Sequence, residues 1–233
     1  MHPQTAIRAE TIRPAAIAMR RAKLPATEFE AESIDQSSYL MGATVSYLRH
    51  TEIYGQDEPA EYLYKVVSGT VRTYTILSDG RRQIGGFYLP GDIFGLEFAD
   101  EHSLSAETIT DAKILLIKRS MLNALAGHNA AIARELFALV GHELQRVQER
   151  MLLLIKSAQE RVASFLLEMA ARVPGGNCIE LPMSRQDIAD YLGLTIETVS
   201  RTLTSLESCA AIEVPTSRRI VLRNRAALSR MNG

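Results

Sequence analysis

Apolar positions in this chain repeat every second residue through much of its first half and every three to four residues through most of its second. Between residues 35 and 118, apolar and β-branched residues alternate with polar ones in short runs broken by Gly, Pro and Asp, which predicts strands buried on one face. The fullest stretch is YKVVSGTVRTYTILSDGRRQIGGFYLPGDIFG, from Tyr64 to Gly95. Within it Ser78-Asp79-Gly80 separates Val71–Leu77 from Arg82–Tyr88 and predicts a hairpin, while Gly69, Pro90 and Gly91 mark further turns. Short strands at this spacing predict a small barrel or sandwich. From His128 to Ile155 the pattern becomes helical: Leu136, Val140, Leu144, Val147, Met151 and Leu154 keep one apolar stripe at spacings of 4, 4, 3, 4 and 3. Ser157 opens another helix, SAQERVASFLLEMAARVPGG, closed by Gly175-Gly176. The Ala- and Arg-rich start, with Pro3, Pro14 and Pro25, predicts an arm or short helix.

Residues 184 to 206, SRQDIADYLGLTIETVSRTLTSL, carry the most information. Ser184 stands where an N-cap belongs, and Asp187 is a shorter version of the Glu or Gln of a capping box. Ile188, Ala189 and Leu192 give this short helix one apolar face. Gly193 supplies the left-handed backbone of a tight turn, and Thr195 can cap a second helix with Val199, Leu203 and Leu206 as its buried stripe. The pattern is a helix-turn-helix. It leaves Ile196, Glu197, Ser200 and Arg201 on other faces near the start of the second helix, the end that a recognition helix presents to the major groove. Arg201 can fork onto guanine O6 and N7, Glu197 can accept from a cytosine amino group, Ile196 can touch a thymine methyl, and Ser200 is adaptable. Ser184, Arg185, Gln186, Thr195 and Thr198 are expected at phosphates, where they fix register rather than sequence. Glu197 and Arg201, four apart, could instead form an ion pair on a solvated face.

Downstream, AAIEVPTSRRIVLRN reads as two strands, Ile212–Val214 and Arg219–Leu222, joined around Pro215 to Arg218. Arg218 and Arg219 at that tip are either phosphate contacts or simply solvated.

SRQDIADYLGLTIETVSR closely resembles the DNA-binding signature of the bacterial CRP/FNR superfamily, which includes the cyclic AMP receptor protein and the fumarate and nitrate reduction regulator. The Y-x-V-x-S-G-x-V-R and P-G-D elements resemble its cyclic-nucleotide-binding β-roll. The likeness implies an α+β fold, with an N-terminal β-roll, a long dimerisation helix and a C-terminal winged helix-turn-helix. It places an arm at 1–29, the β-roll at 30–126, the dimerisation helix at 127–156 and the DNA-binding domain at 157–233. E-x-x-S-R on the recognition helix, Glu197, Ser200 and Arg201, is similar to the FNR and FixK type. That implies base reading of palindromes with TTGA and TCAA half-sites, and the 212–222 hairpin becomes the wing.

Each known sensing mode of such β-rolls makes a demand on the residues. Cyclic AMP binders of the family present a ribose glutamate and an Arg-Ser pair for the phosphate after P-G-D. Here Pro90-Gly91-Asp92 is followed by Gly95-Leu96-Glu97, the glutamate one place late, and Leu104 precedes Ser105 where the arginine belongs. A phosphate would lack its bidentate partner. An iron-sulfur cluster needs several cysteine thiolates, and the chain has Cys178 and Cys209. Haem would draw on the scattered His50, His102, His128 and His142, residues that in such a chain serve as surface or core positions. No cofactor is expected, which points to the FixK-like subgroup, with FNR-type DNA specificity and no cluster.

The chain has 233 residues, 46% of them hydrophobic, with 26 Lys and Arg against 27 Asp and Glu. DNA affinity must therefore come from a local patch. From Lys156 onward there are 10 basic and 8 acidic residues. The expected location is cytoplasmic, with both cysteines reduced, since no apolar run approaches the ~20 residues of a membrane span and no leader pattern is seen. A catalytic set is also missing: there is no metal-spaced His or Cys cluster, P-loop or nucleophile elbow, so no enzyme is expected.

The apolar stripe of the long helix needs a partner, either its own β-roll or a second copy. A palindrome requires two recognition helices about one DNA turn (~34 Å) apart, which favours a two-helix dimer seam. The expectation is a homodimeric transcription activator, partnered by double-stranded DNA and RNA polymerase and not by membrane. The resemblance implies target genes for microoxic respiration, denitrification or nitrogen fixation. A regulator gated by an unidentified small ligand in the β-roll, and a module whose helix-turn-helix binds protein, are the alternatives.

Overall fold

The computed structural model describes residues 42–153, 155–173 and 176–231. The arm at 1–29, the start of the β-roll expected from residue 30, and the seam residue Leu154 lie outside the described residues.

The period-two half of the chain forms β1 (Ala43–Tyr47), β2 (Glu52–Tyr54), β3 (Tyr62–Ser68), β4 (Val71–Ile76), β5 (Arg82–Tyr88), β6 (Ile93–Phe94), β7 (Ser105–Thr108) and β8 (Ala112–Lys118). They pair as two four-stranded antiparallel sheets, β1-β8-β3-β6 and β2-β7-β4-β5. The sheets enclose Tyr54, Tyr64, Val66, Val71, Phe94, Ala106 and Ile114. Alternation makes this possible, because successive side chains of a strand face opposite sides. The β4–β5 hairpin closes at Ser78-Asp79-Gly80 as expected: Asp79 accepts from the Arg81 backbone N–H at 3.0 Å, and Gly80 has φ 83°. Thr73 pairs with Gly86 and Tyr74 with Ile84, so Gly85 is the extra residue of a bulge.

Two helices follow, α1 (Arg119–His128) and α2 (Ala130–Leu153). The long helix therefore starts later than its apolar period suggests, because Asn129 is extended (φ −136°) and its side chain accepts from Ala131 N–H at 2.9 Å, opening a new helix. One face of α2 lies on its own β-roll. Ile132 and Leu136 join Leu63, Leu115, Ile117 and Leu122, and Arg146 stacks 5.2 Å from the Tyr88 ring. Leu136, which spacing put on the seam, is thus engaged inside the chain. Phe137 takes the outer face at 81% exposed, in line with the exposed Leu144, Val147 and Met151, while Val140 is half-buried.

The remainder comprises α3 (Ala158–Arg172), β9 (Cys178–Glu180), α4 (Arg185–Leu192), α5 (Ile196–Ser208), β10 (Ile212–Glu213), β11 (Arg219–Leu222) and α6 (Arg225–Met231). α3 begins at a capping box between Ser157 and Glu160 and ends at Arg172, before the glycines. The wing is a three-stranded sheet, β10-β11-β9, to which sequence contributed two strands and not β9. Ile84, Phe87 and Ile109 of the β-roll share one core with Phe165, Met169, Tyr191, Leu203, Leu206 and Ile220. The β-roll and the helix-turn-helix are therefore packed against each other.

Candidate nucleic-acid interface

Local chemistry fixes the helix-turn-helix. Ser184 Oγ accepts from Asp187 N–H at 3.1 Å, and Asp187 Oδ2 accepts from the Ser184 backbone N–H at 2.9 Å and from its hydroxyl at 2.8 Å. Two of the unpaired N–H groups at the helix start are thereby satisfied. Gly193 is left-handed (φ 64°, ψ 40°), a conformation that a Cβ disfavours by about 1 kcal/mol or more. Thr195 then caps α5 by accepting from Thr198 N–H at 3.2 Å.

α5 buries Val199, Leu203 and Leu206 and turns Ile196, Glu197 and Arg201 outward, with Ser200 half-buried. These last four border one shallow concavity. Backbone N–H at the helix start, the Thr195 hydroxyl and the Arg201 charge hold the Glu197 carboxyl below its usual range, so it is an anion and a hydrogen-bond acceptor. Among the described residues no ion pair joins it to Arg201, although the two are four apart.

The other expected contacts differ in freedom. Ser184 and Thr195 are exposed beside their caps, Thr198 and Arg185 are half-buried, and Gln186 donates to Asp190 Oδ1 at 2.6 Å on its own helix. Arg218 and Arg219 are exposed at the wing tip; Arg219 Nε reaches Cys178 Sγ at 3.2 Å, and its backbone N–H donates to Thr216 Oγ1 at 3.0 Å.

Sequence reasoning missed the groups that seat this unit on the β-roll. Arg72 Nη1 on β4 and Arg82 Nη2 on β5 both donate to Asp187 Oδ1, each at 2.6 Å. Arg82 Nε donates to Asp190 Oδ2 at 2.8 Å, and Arg72 Nη2 to Glu107 Oε2 at 2.9 Å. No signal in the sequence marks them: Arg72 alternates with the inward-facing Val71 and so stands on the outer face of β4, where a charge is ordinary, and only the packing of α4 over that face leaves its side chain 8% exposed.

The β-roll holds a cavity of about 130 Å3, bordered by residues including Tyr54, Tyr88, Phe94, Glu97 and Leu104. That is below the roughly 300 Å3 at which ligand pockets begin. Glu97 is already engaged, with His102 Nδ1 at 2.7 Å and the Ser103 N–H at 3.2 Å. Leu104 lies so close to Gly85 that a Cβ there would stand 2.4 Å from its Cδ1. These residues do not fit a cyclic nucleotide. His102 is buried and stacked 3.6 Å from Tyr54, whereas His50, His128 and His142 are exposed.

Residues 160–231 match the Crp-like helix-turn-helix domain, and residues 44–129 match the cyclic nucleotide-binding domain. The nitrogen fixation regulation protein FixK of Azorhizobium caulinodans is 50% identical over 198 residues, 82% of this chain and 80% of that protein. The transcriptional activatory protein AadR of Rhodopseudomonas palustris is 40% identical over 168 residues, 70% of each chain. The structure of FixK2 from Bradyrhizobium japonicum matches with a TM-score of 0.80 at 52% identity, covering 83% of this chain and 98% of that one. No helix among the described residues is long and apolar enough to cross a membrane. A capped helix-turn-helix with a wing, seated on a β-roll and matched by relatives at this level, places the chain in the CRP/FNR family of DNA-binding transcription regulators, which are not enzymes, and among its FixK-like members.

Proposed function

We propose that the chain is a homodimeric activator that reads TTGA/TCAA palindromes through Glu197 and Arg201, with Ser200 and Ile196 as adjoining contacts. The observation that carries this is the sorting of α5: its apolar stripe is buried, while the four readers lie together on the outer side. Ser184, Arg185, Thr195, Thr198 and the wing arginines would lie along phosphates and hold register. Gln186 spends one amide N–H on Asp190 and keeps its other N–H and its carbonyl oxygen for such a contact.

Dimerisation would run along the outer face of α2, through Phe137, Val140, Leu144, Val147 and Met151, whose exposed apolar surface favours a second copy over water. The activator role and nitrogen-fixation targets are supported by the names of the relatives, microoxic respiration and denitrification targets only by the family resemblance, and activation would act through RNA polymerase in the cytoplasm. With Glu97 engaged and Leu104 over Gly85, binding should need no cyclic nucleotide. The test is fluorescence anisotropy of the untreated protein on a TTGA/TCAA palindrome and on single-base variants, with and without added cyclic AMP. Selective binding that is unchanged by the nucleotide is expected. Equal affinity for the palindrome and its variants, or a saturable gain on adding cyclic AMP, would overturn the reading.

A further inference from the structure

The Asp187 carboxylate joins two structures at once. Its Oδ2 closes the cap of α4 by accepting from Ser184, and its Oδ1 receives Arg72 and Arg82 from two neighbouring strands of the β-roll. Arg82 reaches on to Asp190, one turn further along α4, so two points of the same helix are held by one guanidinium. The side chains of Arg72 and Asp187 are 8% and 6% exposed, and those of Arg82 and Asp190 are 24% and 12% exposed.

Apolar contacts in this seat, Phe87 against Phe165 and Tyr191, hold the domain down without strongly fixing its rotation, because burial is non-directional. Charge-assisted hydrogen bonds from planar guanidinium groups are directional. A buried ion pair adds little stability over a well-packed apolar contact, so its use here is geometric. α4 is fixed to α5 through the left-handed turn at Gly193, and whatever orients α4 orients the recognition helix.

We propose that Arg72 and Arg82 are positioning residues for DNA binding. They touch no base, but they set the angle of the recognition helix against the β-roll, and through α2 they set the spacing and direction of the two recognition helices of a dimer. This inference rests on the palindrome reading above, and its test separates the two. The full chain and its Arg82→Gln variant are compared by sedimentation, and by anisotropy on an isolated half-site, on the native-spaced palindrome, and on palindromes with one base pair added or removed between half-sites. In the variant, half-site affinity should stay within about twofold, while native-palindrome affinity falls roughly tenfold or more and discrimination among spacings shrinks. A variant that remains dimeric with unchanged palindrome affinity and spacing preference would overturn the proposal. So would equal losses on half-site and palindrome, which would mark a merely structural role. If the parent chain prefers no palindrome over a half-site, the palindrome reading fails instead, and the inference with it. Should Arg82→Gln not fold, Arg82→Lys carries the same comparison, since it keeps the charge but presents a single ammonium to two carboxylates.

Discussion

Removing the Asp187 carboxylate should cost far more than removing the serine it caps. In Ser184→Ala the hydroxyl that accepts from Asp187 N–H at 3.1 Å is lost. Ser184 is exposed, so water can replace part of that bond, and the cost is an ordinary N-cap loss of about 1 kcal/mol. In Asp187→Ala the cap partner disappears too, and Arg72, 8% exposed, loses a 2.6 Å carboxylate contact. Breaking a buried pair from one side costs about 3–5 kcal/mol, because the remaining charge is left uncompensated. Glu107 still holds the other Arg72 nitrogen at 2.9 Å, and Arg82 at 24% exposed can turn to water, which places the estimate near the lower end, about 3 kcal/mol. Asp187→Asn should fare little better, since its amide would offer either a donor to two guanidinium donors or no acceptor to the cap. Equilibrium urea unfolding followed by circular dichroism gives all three values. If Asp187→Ala costs no more than Ser184→Ala, or if Asp187→Asn matches the parent chain, the carboxylate is not the junction described.

Arg201→Ala should lose about 1–3 kcal/mol on the specific site and flatten discrimination at the guanine of TTGA, read by competition with single-base variants. Val147→Glu, on the outer face of α2 at 43% exposed, should give monomers that retain half-site contact but lose the palindrome's advantage; a dimer at micromolar concentration in sedimentation would rule out this face as the seam. If Glu197 accepts from a cytosine amino group as proposed, its depressed titration would set the pH dependence of cytosine discrimination. A carboxyl held below its usual 4.5 stays ionised as pH falls from about 7.5 to about 5, and its contribution disappears only below that value, so discrimination should stay level over this window, whereas a decline centred near pH 6 in anisotropy titrations would contradict it.

Features that depend on a few neighbouring residues were legible in the chain. Ser184, Asp187, Gly193 and Thr195 each act within four residues, through caps and one left-handed backbone, and the structure places them as the sequence predicts. The same holds for the Ser78-Asp79-Gly80 hairpin and for the buried stripe of α5, since turn chemistry and side-chain period are local. The apolar period of α2 was also visible, but not which side each member takes. Leu136 and Phe137 are adjacent, and only the position of the β-roll turns one inward and leaves the other 81% exposed.

Tertiary structure alone decided the rest. Arg72 meets Asp187 across 115 positions of sequence and Arg82 meets Asp190 across 108, separations at which no period or cap signal operates. β9 is three residues long and exists because β11 offers it a ladder. Sequence by itself determined which side chains stand at the outer start of α5, because that depends on a cap and a side-chain period within one helix. The seat of α4 on the β-roll brings together charges far apart in the chain, a meeting that folding alone assembles.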